Sequence, residues 1–156
     1  MTTALVFIAA LGSALVAGIF FAFSNFIMAG LGRIPAEHGM AAMNAINVTV
    51  LNPLFLGLFM GTGALCVVVA IAALIGWQGT TSAMILAACA LYVAGCVGVT
   101  MAFNVPLNEA LKAATPGSAA AGELWTHYLD RWTMWNSVRT GASLSAAGLF
   151  VAALMR

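Results

Sequence analysis

WTHYLDRWTMWNSVRT, residues 125–140, runs directly into GASLSAAGLFVAALM, an apolar stretch long enough to enter a bilayer. At ~100° per residue, a helix here puts Trp125, Tyr128, Trp132, Asn136 and Arg139 on one face, with Trp135 at its border. Arg139 falls where this helix enters apolar surroundings. An arginine inside a membrane is costly, so it faces the bundle interior and takes a partner. Indole and phenol rings also gather at membrane interfaces, so an interfacial belt stays open for Trp125 and Tyr128. A belt does not account for an amide and a cation set three residues apart. Asn136 and Arg139 therefore mark a candidate site.

Composition bounds the rest. The chain has 156 residues, 63% hydrophobic and only 6% charged. A soluble domain carries roughly 25% charged residues. The expected fold is all-α: a single-domain integral-membrane four-helix bundle, multi-pass in the cell membrane. The lipid bilayer is its first partner. The net charge of +1 offers no basic patch for nucleic acid. Cys66, Cys89 and Cys96 lie in apolar runs without CxxC spacing and read as small core residues.

Spans are expected over about residues 3–32, 49–76, 82–103 and 132–155. The first has no positive n-region and exceeds a signal h-region in length, so it reads as a retained helix. Its small residues Ala14, Gly18, Ala22 and Ala29 share a face with Phe21 and Asn25. That face is expected to pack inward and carry Asn25 into the bundle. An amphipathic lead-in follows over about residues 35–50, with Asn44 and Asn47 close in angle. Asn52-Pro53 interrupts the run, either as a cap with proline at the first helical position or as a kink. Gly57 and Gly61 form a GxxxG. In the third span Tyr92, Cys96, Thr100 and Phe103 share a face, and Pro106 is expected to stop or redirect the helix.

Alternating spans place all seven asparagines on one side of the membrane: Asn25, Asn44, Asn47, Asn52, Asn104, Asn108 and Asn136. Arg33, Lys112 and Arg131 share that side against Arg156 on the other, which orients the longer loops inward. Long loops need caps, and that alone accounts well for Asn52 and Asn104. The asparagines set within helices point further, to a one-sided pocket. Carboxamides both donate and accept, so such a cluster can hold a polar ligand.

The chemistry classes narrow quickly. There is no HExxH, GxSxG, Walker loop or GxGxxG. No metal site is expected. His38 and His127 are the two histidines. The sequence requires no cofactor, and haem b stays open only through His38, near Met40 and Met43. What remains is indole, amide and guanidinium, which suit a planar lipophilic phenolic or quinone-type small molecule. Arg139, Asn136 and Asn104 would stabilise its anion, with His127, His38 or Glu109 as base. Trp132 and Trp135 would stack its ring, and Asn25, Asn44, Asn47, Asn52 and Asn108 would complete the pocket. Two other readings stay open: a haem- or ligand-binding protein without turnover, and a structural protein whose asparagines tie helices together. A homo-oligomer is compatible with each.

FAFSNFIM (residues 21–28), AMNAINVTVLNPLF (42–55), FNVPLNEAL (103–111) and W-x₂-W-N-x₂-R-T (132–140) resemble the anthrone oxygenase-like family of small four-helix membrane proteins. The resemblance spans nearly the whole chain. It implies oxidation of anthrone-type polyketides to quinones by O₂ and supplies no established catalytic motif.

Overall fold

Inside a bilayer the backbone has no water to bond, and helices satisfy it within one segment. The computed structural model, which describes residues 2–115 and 117–156, is accordingly all-α, with no strand among those residues. Its helices are α1 (Thr3–Leu31), α2 (Ala36–Thr49), α3 (Pro53–Ile75), α4 (Thr80–Ala113) and α5 (Ala119–Leu154). All but α2 are long and apolar enough to cross a membrane. The protein is a multi-pass membrane protein.

Helix α5, at 36 residues, is ~54 Å long, against a ~30 Å hydrocarbon layer. Its N-terminal third therefore projects beyond the layer, together with α2 and the end of α4. Two cores result. Within the layer, Val16, Phe59, Val69, Tyr92 and Phe150 pack together. Beneath α2, Met40, Met43, Leu111, Trp125, Tyr128 and Trp132 form a second cluster. Trp125 and Tyr128 are thus covered by protein, which replaces the interfacial-belt reading. Gly39 makes that cover close, because a Cβ there would lie 2.6 Å from the Trp125 ring.

Three expectations change. The inward face of α1 is Val6, Ala9, Ala10, Ser13, Val16, Ala17 and Phe20, packed along α5. Ala14, Gly18, Phe21, Asn25 and Ala29 are exposed instead. Lipid is as apolar as the core, so hydrophobicity could not choose between the two faces. Second, α4 continues through Pro106 to Ala113. A π turn over Thr100–Asn104 has already shifted the hydrogen-bond ladder there, so the missing N–H is accommodated. Third, the inner stripe of α4 runs Tyr92, Cys96, Thr100, Asn104, while Phe103 faces outward. A regular α-helix drifts ~40° for every step of four residues. The wider π turns over Leu91–Gly98 and Thr100–Asn104 offset that drift and keep the stripe straight.

The Asn52-Pro53 break resolves as a cap. Asn52 Oδ1 accepts from Phe55 N at 3.0 Å, and Pro53 opens α3. Between α3 and α4, Gly79 takes φ 59°, and Ser82 Oγ accepts from Gln78 N at 2.9 Å.

Gly39→Val is expected to push α2 off Trp125, lower stability by about 1–3 kcal/mol and change tryptophan emission. Gly57→Ala, where an added Cβ meets nothing within 4 Å, should leave the melting temperature unchanged or raised. Thermal melts and fluorescence in detergent check both.

Candidate functional site

Arg139 is the centre of the site. It is 4% exposed, ~22 Å from the Leu154 end of α5, and therefore within the hydrocarbon layer. Its Nη2 donates to Asn136 Oδ1 at 2.7 Å and its Nη1 to Thr100 Oγ1 at 3.1 Å. The guanidinium carbon lies 4.0 Å from the Phe20 ring centroid and 5.2 Å from that of Trp132. Such ring faces partly compensate a desolvated cation. Arg139 Nε is buried without a partner, and no carboxylate pairs with the guanidinium among the described residues.

Neighbouring helices hold this centre in place. Asn136 Nδ2 donates to Phe20 O at 2.6 Å and to Ser24 Oγ at 2.7 Å, tying α5 to α1. Ser24 lies in a π turn over Phe23–Ile27. Asn104 Nδ2 donates to Trp132 O at 3.2 Å, tying α4 to α5. Thr100 in turn donates to Cys96 O at 2.8 Å, which orients its oxygen toward Arg139.

Beside Arg139 is a cavity of about 310 Å³, at the small end of ligand pockets. Its walls include Phe20, Phe23, Phe55, Phe59, Met43 and Trp132, and its polar groups are Asn47, Thr100, Asn108, Glu109 and Arg139. Leu51, Leu56, Met60 and Met101 line it while also exposed on the outer surface. The cavity thus has an apolar side mouth between the start of α3 and α4. Asn108 Oδ1 accepts from both Tyr128 Oη and Trp132 Nε1, each at 2.8 Å.

The expected cluster is reached only in part. Asn47, Asn108, Trp132 and Arg139 line the cavity. Asn104 and Asn136 do not; they are buried behind it as helix ties. Asn44 is half-buried and off the lining, Asn25 is exposed, and Asn52 is an exposed cap. Trp135 lies on the outer side, stacked on Phe103 at 3.7 Å between centroids. His127 is exposed. His38 is also exposed, 3.8 Å from Glu37. Neither histidine lines the cavity, whereas Glu109 does, and a haem there would have no axial histidine. Among the described residues no group of three or more His, Cys, Asp or Glu is placed to hold a metal ion. Of the seven amides, Asn47 and Asn108 line the cavity, Asn104 and Asn136 tie helices behind it, and rotation about the helix axes turns Asn25 and Asn44 away.

Ser24 carries the contact that the sequence reading assigns to its neighbour Asn25. A single serine in an apolar helix gives no periodic signal. Thr100 was legible through its stripe with Tyr92 and Cys96.

A family model described as anthrone oxygenase matches residues 55–149. That region contains Thr100, Asn108, Trp132, Asn136 and Arg139, while Phe20, Ser24 and Asn47 precede it. No curated protein and no solved structure matches the chain.

Asn136→Ala removes the bonds to Phe20, Ser24 and Arg139 and is expected to lower stability by about 2–4 kcal/mol. Asn25→Ala, on the exposed face, should change it by under ~0.5 kcal/mol. Denaturation of the purified variants checks the contrast.

Proposed function

The chain belongs to the anthrone oxygenase family, and from that premise we propose that it is an oxygenase-type oxidoreductase. Its substrate would be a planar, lipophilic, anthrone-like phenolic held in the cavity beside Arg139. The observation that carries this reading is a buried guanidinium with no carboxylate partner among the described residues, set against aromatic walls. A desolvated cation is costly unless something with negative charge joins it. A reaction that develops an oxyanion at that point supplies the charge in its transition state, where the stabilisation accelerates it.

The side mouth supports the substrate class. Its rim of Leu51, Leu56, Met60 and Met101 admits a molecule dissolved in the bilayer. Once inside, flat rings meet Trp132 and the phenylalanine faces. Glu109, the one carboxylate lining the cavity among the described residues, takes the acidic C–H proton. Negative charge moves onto the ring oxygen, held by Arg139. Asn136, behind the cavity, and Thr100, in its wall, position the guanidinium. Oxygen then adds at the electron-rich carbon, and the balance is CH₂ + O₂ → C=O + H₂O. The reaction as written uses O₂ and side chains of this chain alone.

Arg139→Met keeps most of the stem and removes the charge. Anthrone-dependent O₂ uptake by the purified, folded variant is expected to fall ~10²-fold or more, with Asn25→Ala at the wild-type rate. Unchanged turnover in Arg139→Met would remove the proposed role of the cation. A protein that only holds a ligand would bind the anthrone and consume no O₂.

A further inference from the structure

Asn108 is the polar group of the cavity whose orientation the structure determines most tightly. An indole N–H can only donate, so the Asn108 atom 2.8 Å from Trp132 Nε1 must be the carboxamide oxygen. The same oxygen takes the Tyr128 hydroxyl at 2.8 Å. Both donors come from the inner face of α5, and both side chains are buried. With its oxygen held twice, the amide cannot flip without breaking both hydrogen bonds. Its NH₂ group is left on the opposite branch. Asn108 lines the cavity, and its Nδ2 makes no hydrogen bond to protein among the described residues. It is therefore an unspent donor on a cavity-lining residue.

Two other donors line the cavity, the Arg139 guanidinium and the Asn47 amide, and neither has its direction set by two hydrogen bonds to one oxygen as Asn108 has. Thr100 is used on both sides, donating to Cys96 O and accepting from Arg139. Trp132 Nε1 is spent on Asn108 itself. Glu109 is exposed and lies at the cavity's edge. Asn47 adds an amide whose Nδ2 is buried without a partner.

We propose that Asn108 is a specificity-determining donor that recognises an acceptor oxygen, carbonyl or phenolate, on the planar ligand. Tyr128 and Trp132 are positioning residues that hold its NH₂ toward the ligand. A preorganised donor keeps its direction without a ligand and loses little entropy on binding. A ring system with no oxygen leaves that NH₂ desolvated and unpaired, which penalises it. The proposal rests on the reading that this cavity takes a flat lipophilic molecule, but not on turnover.

The test uses two tricyclic probes of the same shape, fluorenone with a ring carbonyl and fluorene without it, bound to the purified protein in detergent. Wild type is expected to prefer fluorenone at least ten-fold. Asn108→Asp keeps an oxygen for Tyr128 and Trp132 and replaces the NH₂ by a second oxygen. At pH 8 it should retain the wild-type melting temperature and lose the preference. Tyr128 does not line the cavity and its hydroxyl bonds Asn108 Oδ1, so Tyr128→Phe is expected to loosen that amide and lose about three-fold of the preference. That variant decides the matter should Asn108→Asp fail to fold. Equal affinities in wild type, or an unchanged ratio in the folded variants, would overturn the proposal. A retained fluorenone preference with no O₂ uptake would remove the oxygenase reading and leave this one, and intact uptake with a ratio near one would do the reverse.

Discussion

A guanidinium held inside an apolar bundle, with no paired carboxylate among the described residues, is the constraint around which this molecule is arranged. Arg139 cannot be left to lipid, so α5 must bury it, and the helices around α5 must supply dipoles and ring faces. Asn136 and Thr100 provide oxygens, and Phe20 and Trp132 provide π faces. None of these carries a full negative charge. The arrangement satisfies the cation incompletely, and the proposed function rests on that deficit.

Irregular helix geometry is concentrated around the same point. The π turn at Phe23–Ile27 contains Ser24, which Asn136 bonds, and Thr100 opens the second π turn of α4. Such turns are less stable than regular helix and recur at functional sites. Here they have a geometric purpose. They bring residues four apart into one line, so a single face of α4 serves the hydrophobic core, the arginine and the cavity in turn. The free energy of the α1–α5 seam offsets what the irregular turns cost, with Ala9, Ala10, Ser13 and Ala17 allowing close approach.

The projecting cap completes the site. Helix α2 covers Trp125 and Tyr128, and that layer in turn presents two donors to Asn108. Aromatic residues that could have been membrane anchors are instead the framework behind one amide. In the function proposed above, recognition and catalysis fall to different residues: Asn108 and the ring faces for binding, Arg139 and Glu109 for charge.

Composition alone determined that the chain is a set of membrane helices, because so few charges cannot clothe a soluble surface. The inner face of α5 was also legible, since its first half alternates polar and apolar residues at helical period. So was the Asn52-Pro53 cap, a local signal that needs no tertiary partner. The placement of every asparagine on one side followed from counting alternating spans. Their convergence did not follow, because it depends on rotation about each axis. In α1 that rotation was invisible: lipid and protein core are equally apolar, so Asn25 and Ser24 competed for the interior on equal terms. Only packing against α5 decided for Ser24. The same holds for Trp135 and the histidines, whose proximity in sequence to Arg139 or to methionine says nothing of direction. Sequence determines which groups lie at which depth, and tertiary contacts determine which of them face one another.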